Sequence, residues 1–220
     1  MFQNLNLFGQ YSCAAYDAKN FNSNGIPPPG TAVTCPPANC PIVHAATTEI
    51  LTEFANSGIS GVTGFVAADI TNKLIIISFR GSVSISNWIA DLNVERLSID
   101  DLCQVCEAHA GFWAAWATAR DQAVLDALDY AIVGTDQYQG YQIVATGHSL
   151  GGAVATLAAA QLRYLGFDVA LVSSALPLPT AARHSWTHRD LAFANLRIPV
   201  HLRSTRGRES SPCHLHHRPT

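Results

Sequence analysis

One Gly-rich turn between a β-type segment and a helical segment constrains the fold of this chain more than any other feature. Residues 141–146 read Tyr-Gln-Ile-Val-Ala-Thr, which is typical of a short strand, and residues 149–165 are rich in Ala and Leu, which favours a helix. Residues 168–173 predict a second strand. A strand–helix–strand unit normally joins parallel strands, so we expect an α/β fold with a mostly parallel central sheet.

The turn itself reads Gly147-His148-Ser149-Leu150-Gly151 and fits the pattern G-x-S-x-G. In proteins with this pattern, a strained turn called the nucleophile elbow exposes the serine side chain above the sheet. A Cβ at Gly147 or Gly151 would collide with neighbouring main chain, which explains the two glycines. The pattern also occurs by chance, and the alternative is a Gly-rich helix start that Ser149 caps. Its place between a strand and a helix favours the nucleophile.

A serine that attacks an ester also needs N–H groups that stabilise the oxyanion of the intermediate. The amide of Leu150 is the first candidate, because it follows the serine directly. The second is Ser82, because Phe79-Arg80-Gly81-Ser82 follows the apolar run at 73–79, which we expect to be a central strand covered on both faces. An ordinary turn is the alternative for this segment.

Further helices and strands are predicted from the spacing of apolar residues. Residues 6–17 have apolar residues at helical spacing and predict an amphipathic opening helix. Residues 61–67 and 73–79 predict two antiparallel strands with a short polar connection. Residues 110–133 predict one long surface helix.

Cysteine usage and hydropathy restrict where such a chain works. Cysteines lie at positions 13, 35, 40, 103, 106 and 213. The two close pairs suggest small disulfide loops in an oxidising compartment, although the pair at 103 and 106 could instead be half a zinc site or a redox pair. We therefore expect a secreted protein, whose signal peptide is absent from this sequence. No apolar run approaches the roughly 18–20 residues of a spanning helix, so we expect no integral membrane protein.

Four motifs in order resemble the class 3 lipases of filamentous fungi. They are Ser78-Phe79-Arg80-Gly81-Ser82, Asn87-Trp88-Ile89-Ala90-Asp91-Leu92, His109-Ala110-Gly111-Phe112 and Gly147-His148-Ser149-Leu150-Gly151-Gly152. The resemblance covers about residues 5–172. It implies an α/β-hydrolase fold that works without a metal or a cofactor.

The resemblance also implies roles for particular residues. Ser149 would be the nucleophile, the amides of Ser82 and Leu150 would form the oxyanion hole, and Asp91 would hold the Ser82 hydroxyl. Residues 84–90 would form a lid that opens at a lipid–water interface. The lid residues that the motif implies are Ser86, Asn87, Trp88 and Ile89.

The cysteine pairs follow the same resemblance. It implies the bridges Cys35–Cys40 and Cys103–Cys106. Cys13 and Cys213 are left over and could pair, but neither stands where the family pattern has its third bridge, so their pairing stays open.

The tail at 173–220 does not continue the resemblance. Residues 1–172 carry six Lys+Arg against fourteen Asp+Glu, a charge of −8, whereas the tail carries seven Arg against two acids, a charge of +5. The family's later motifs, which supply the acid and the base of the catalytic triad, are not found, so both remain unknown. We interpret the Arg/His/Pro-rich tail as the product of a shifted reading frame or a mis-joined exon, or as a disordered segment. The C-terminal part of the fold would then be missing or replaced.

These observations predict a serine esterase that hydrolyses lipid esters, as a triacylglycerol lipase does, through an acyl-enzyme at Ser149. A feruloyl-type or other carboxylesterase is one alternative. A non-catalytic fragment that binds apolar surfaces is the other, because the triad is incomplete. The expected partners are a lipid or other ester substrate and a lipid–water interface, and not a nucleic acid.

Overall fold

The computed structural model describes residues 2–23, 25–36, 39–55, 61–82, 96–100, 102 and 106–174. Its strands are β1 (Thr48–Ala55), β2 (Thr63–Asp69), β3 (Leu74–Phe79), β4 (Arg96–Ser98), β5 (Glu107–His109), β6 (Gln142–His148) and β7 (Val169–Ser174). Its α-helices are α1 (Phe2–Ala14), α2 (Pro41–Ala45), α3 (Ala110–Ala119), α4 (Leu125–Asp129) and α5 (Leu150–Tyr164), with a 3₁₀ turn at Ala18–Asn20.

The central sheet has the strand order β1-β2-β3-β6-β7. The β2 strand is antiparallel to both of its neighbours, whereas β3, β6 and β7 are parallel to one another. Four of the five strands therefore run in one direction, which confirms the mostly parallel sheet. The predicted hairpin of β2 and β3 and the predicted unit of β6, α5 and β7 are confirmed as well.

The β3 strand lies in the middle of the sheet and is buried along its whole length. Its side chains alternate between two apolar cores, because successive residues of a strand point to opposite faces. Ile75 and Ile77 belong to the core that also contains Trp116, and Ile76 belongs to the core under α1. The prediction of a strand covered on both faces is confirmed.

Polar side chains attach α1 to the sheet. The Ser12 hydroxyl lies 2.9 Å from the Thr146 hydroxyl, and the Ser78 hydroxyl donates to the carbonyl oxygen of Tyr11. The Tyr11 hydroxyl donates to the carboxylate of the fully buried Asp69 over 2.7 Å. These bonds fix the opening helix in register on β2, β3 and β6, since each buried polar group needs a specific partner. The predicted helix is confirmed, although it begins at Phe2 and ends at Ala14 instead of covering 6–17.

The predicted helix at 110–133 is helical throughout but is not one regular α-helix. Two π-helical turns, Arg120–Val124 and Tyr130–Gly134, follow α3 and α4 respectively. In a regular α-helix, Trp116 and Val124 would point about 80° apart around the axis. The wider π turn reduces this angle, and both side chains are fully buried in the same core. Burial of two large side chains offsets the poorer packing of the π turn.

No helix among the described residues is long and apolar enough to cross a membrane. The same residues contain no group of three or more His, Cys, Asp or Glu side chains that could hold a metal ion.

Candidate active site

Ser149 lies at the junction of β6 and α5, where strand and helix meet without an intervening loop. Its backbone has φ 55° and ψ −121°, a positive φ that is rare for residues other than glycine. Such a conformation costs free energy and persists only where the surrounding structure enforces it. The predicted strained turn is therefore present at this serine, which is buried with 7% of the residue exposed.

Close backbone packing explains the glycines around the serine. A Cβ at Gly147 would collide with the backbone of Gly151, and a Cβ at Gly151 would collide with the carbonyl of Phe79 at the end of β3. The start of α5 thus lies directly against both β6 and the end of β3. This contact enforces the Ser149 conformation and brings the segment after β3 to the elbow.

The two candidate oxyanion donors come from neighbouring segments. Leu150 is the first residue of α5, and the first amides of a helix have no acceptor within the helix. Gly152 and Ala153, in contrast, donate to the carbonyl oxygen of Ser149. Ser82 follows Gly81, whose Cα lies so close to the His148 carbonyl oxygen that a Cβ would collide with it. This adjacency supports the predicted oxyanion hole, and the roles of Ser82 and Leu150 remain predictions.

Several predicted residues lie outside the described part of the chain. They are Asp91 and the lid residues Ser86, Asn87, Trp88 and Ile89. The predicted lid and the support of Ser82 by Asp91 therefore stay predictions.

The two described histidines near the predicted motifs have structural partners. His109 accepts a hydrogen bond from the Gly111 amide over 3.0 Å at the start of α3, and its ring stacks on Phe112. His148 is half-buried, its Nδ1 lies 3.4 Å from the Tyr16 hydroxyl, and burial lowers its pKa. Among the described residues, no His, Asp or Glu is hydrogen-bonded to Ser149. The triad acid and base are thus still unassigned.

One of the predicted disulfides is confirmed. Cys35 and Cys40 form a bridge that closes the loop before α2. Cys106 is also disulfide-bonded, but Cys103 lies outside the described residues, so the predicted Cys103–Cys106 bridge stays a prediction. Cys13 is disulfide-bonded as well, and Cys213 lies outside the described residues, so a pairing between these two also stays open.

Tyr16 lies beside the elbow, and nothing in the sequence indicated this position. It belongs to neither the elbow nor the four motifs, and it reaches His148 only because α1 packs across β6. A single tyrosine after a helix carries no chemical signal in a sequence. Only the packing of α1 on the sheet shows where its hydroxyl lies.

A five-stranded, mostly parallel sheet with a strained serine turn between strand and helix defines the α/β-hydrolase class. Sequence comparison gives the family within this class. The sequence profile described as lipase (class 3) matches residues 76–194, which is more than half of the chain. The chain belongs to the class 3 lipase family.

Named relatives agree with this family. The secreted mono- and diacylglycerol lipase A of Penicillium cyclopium is 35% identical over 73% of this chain and 50% of its own length. The secreted mono- and diacylglycerol lipase 1 of Fusarium solani is 35% identical over 79% of this chain and 49% of its own length. The crystal structure of the mono- and diacylglycerol lipase from Aspergillus oryzae superposes with a TM-score of 0.69 at 37% identity, over 77% of this chain and 60% of that chain.

The extent of these matches is relevant to the predicted division between residues 1–172 and the tail at 173–220. The chain spans about half the length of the curated relatives that it matches. The family profile reaches residue 194, about twenty residues beyond the boundary expected at 172. The division into residues 1–172 and 173–220 therefore stays a prediction.

Proposed function

We propose that the chain is a serine hydrolase of lipid esters that works through an acyl-enzyme at Ser149. The observation that carries this proposal is the positive φ of Ser149 at the junction of β6 and α5. A strained serine between a buried strand and a helix start, whose side chain does not cap that helix, supplies a nucleophile beside an amide donor, which are two of the groups that acyl transfer needs.

The proposed reaction has two steps. Ser149 Oγ attacks the ester carbonyl, its proton passes to a base, and the Leu150 and Ser82 amides stabilise the oxyanion. The intermediate expels the alcohol, which takes the proton from the base and leaves an acyl-serine. Water then attacks the acyl-serine and releases the fatty acid. The base and its supporting acid are not among the partners of Ser149 in the described residues.

We propose mono- and diacylglycerols as substrates that should be tested first, next to the triacylglycerols expected from the sequence. Support comes from the printed names of the Penicillium, Fusarium and Aspergillus relatives. The names of the two sequence relatives and the Cys35–Cys40 bridge also support a secreted protein. Action at a lipid–water interface and movement of the predicted lid belong to the same proposal.

Labelling with a fluorophosphonate, read by intact mass, tests the nucleophile without requiring turnover. We expect one adduct on the unmodified protein and none on Ser149→Ala. Ser98→Ala is the matched control, since Ser98 is exposed on the separate β4–β5 sheet, and it should label like the unmodified protein. Equal labelling of the Ser149→Ala variant would refute the proposed nucleophile.

Hydrolysis of p-nitrophenyl butyrate, p-nitrophenyl palmitate and emulsified acylglycerols tests the reaction itself. Turnover that Ser149→Ala abolishes would support the enzyme. The absence of both labelling and turnover would show an elbow that lacks a working base, because the fluorophosphonate, like an ester, needs an activated serine, and it would favour the alternative of a non-catalytic lipid-binding chain.

A further inference from the structure

The hydroxyl of Tyr16 lies where the two segments with the candidate oxyanion donors meet. Its oxygen is 3.4 Å from Nδ1 of His148, which directly precedes Ser149. It also lies directly against the backbone of Gly81, which precedes Ser82, since a Cβ on Gly81 would collide with it, and this backbone lowers the pKa of the phenol. One hydroxyl thus contacts the residue before each of the two site serines.

The Tyr16 hydroxyl and the His148 carbonyl oxygen both pack closely against Gly81. A Cβ on Gly81 would collide both with the Tyr16 hydroxyl and with the His148 carbonyl oxygen. The Gly81 backbone is therefore enclosed between the phenol and the strand end that leads into the elbow. We call these three residues, Tyr16, Gly81 and His148, the phenol junction.

Tyr16 is itself held firmly at the end of α1. Its amide donates to the Cys13 carbonyl over 3.0 Å, and the next amide, that of Asp17, donates to the Ala14 carbonyl over 3.0 Å. The buried Asn20 side chain also donates to the Ala14 carbonyl over 2.7 Å. The phenol therefore extends from a backbone that three hydrogen bonds fix, and α1 is in turn fixed on β6.

The protonation states match a hydrogen bond from the Tyr16 phenol to His148. Burial raises the pKa of Tyr16 more than the Gly81 backbone and the charge of Arg80 lower it, so the phenol keeps its proton at neutral pH. Burial also lowers the pKa of His148, which favours a neutral ring. A protonated phenol can donate to an unprotonated Nδ1.

We propose that Tyr16 is a positioning residue that fixes the Ser82 amide relative to Ser149. An oxyanion donor works only when it is aimed at the place where charge develops, and small displacements weaken it strongly. Ser82 and Ser149 are on different segments, and the phenol junction joins those segments one residue before each of them. The catalytic part of this inference depends on the proposed function, whereas the junction itself does not.

Tyr16→Phe removes only the hydroxyl and tests the junction. Amide hydrogen exchange measured by NMR should become about tenfold faster at Gly81, because the hydroxyl that packs against this backbone is lost. The exchange of the Ile76 amide in β3 reports global stability, so the acceleration at Gly81 should exceed any acceleration at Ile76. If Gly81 exchange in Tyr16→Phe equals that of the unmodified protein, the inference is overturned.

Fluorophosphonate labelling of the same variant tests the consequence for Ser149. The maximal labelling rate should fall by about 10-fold to 100-fold, with little change in the reagent concentration that gives half of that rate. Tyr164→Phe is the matched control, since its ring is 65% exposed at the end of α5, and it should label at the normal rate. A normal maximal rate in Tyr16→Phe would overturn the positioning role.

Fluorophosphonate labelling and Gly81 amide exchange together distinguish a failure of the proposed nucleophile from a failure of the junction. If the unmodified protein does not label, the proposed nucleophile fails, and Gly81 exchange still decides whether the junction exists. If Tyr16→Phe does not fold, Gly81 exchange in the unmodified protein decides, and an amide that exchanges as fast as in an unstructured peptide would overturn the junction.

Discussion

At the scale of single residues, the Tyr11 hydroxyl makes a buried hydrogen bond that connects α1 to the sheet. Tyr11→Phe keeps the ring but leaves one oxygen of the buried Asp69 with only the Asn72 side-chain amide as donor. We expect the free energy of unfolding to fall by about 1–3 kcal/mol, because a buried acceptor loses a partner. Urea unfolding followed by circular dichroism measures this change. Tyr164→Phe should change it little, and an equal loss in both variants would contradict the explanation.

Glycines provide a second test at this scale, because they occupy very different surroundings. Gly151→Ala places a methyl group against the Phe79 carbonyl, so we expect strong destabilisation or loss of the elbow geometry. Gly9→Ala lies in α1 with open space around the added carbon, so we expect stabilisation of about 0.5–1 kcal/mol. Thermal unfolding of the two variants compares them directly. Similar changes in the unfolding temperature of both variants would show that the close backbone packing at the elbow leaves room for the added carbon.

His148 gives a pH-dependent prediction. Burial lowers its pKa in the folded chain, so the unfolded chain binds the proton more readily. Its contribution to stability is present above the unfolded pKa of about 6.5 and is lost as the pH falls through the lowered folded value. The unfolding free energy of the unmodified protein minus that of His148→Gln should therefore be smaller at about pH 5 than at about pH 8. Urea unfolding at both pH values measures this difference, and a larger difference at the acidic pH would contradict it.

At the scale of elements, one glutamine side chain connects the helix that follows the elbow with the helix beside it. Gln161 of α5 accepts from the Trp116 indole N–H over 2.6 Å and from the Arg120 guanidinium over 2.9 Å. Gln161→Leu leaves the indole N–H without this acceptor. We expect a loss of about 1–3 kcal/mol in the free energy of unfolding.

Chemical denaturation checks this connection between helices. Gln139→Leu is the control, because Gln139 is exposed in the turn before β6 and should leave stability nearly unchanged. A Gln161→Leu variant as stable as this control would show that the two helices are held by apolar packing alone.

The sequence predicted those elements whose residue types follow one regular pattern or form one continuous apolar run. The apolar β3, the Ala-rich α5 and the opening helix were predicted because their burial pattern is regular along each element. The β1 strand was not predicted, since its Glu49 and Glu53 interrupt the apolar run and its register shifts between Ile50 and Thr52. The π turns were missed because nothing in the residue types distinguishes a π turn from an α turn.

The candidate site was predictable where local sequence determines it. Gly147, Ser149 and Gly151 stand in one short motif whose backbone needs these residue types, and the structure has the strained turn that the motif implies. Tyr16 was not predictable, because its place depends on how a distant helix packs on the sheet.

At the scale of the whole molecule, stability should be unevenly distributed. The β3 and β6 strands are enclosed by helices and neighbouring strands, whereas all three residues of β4 are exposed. Amides of Ile76 and Val144 should therefore exchange only through global unfolding, and amides of β4 through local opening. Hydrogen exchange at increasing urea separates the two regimes. Equal protection of β4 and β6 would contradict this distribution.

The packing of the opening helix on β6 also has a consequence while the chain is being synthesised. The Thr146 hydroxyl donates to the Phe8 carbonyl, a contact between residues 138 positions apart. At about 5–20 residues per second, a ribosome needs roughly 7–28 seconds to make the intervening chain. Throughout that interval the first helix lacks β6, one of the strands on which it packs. A chaperone that shields the nascent first helix should therefore raise the yield of folded protein more than one that acts after release.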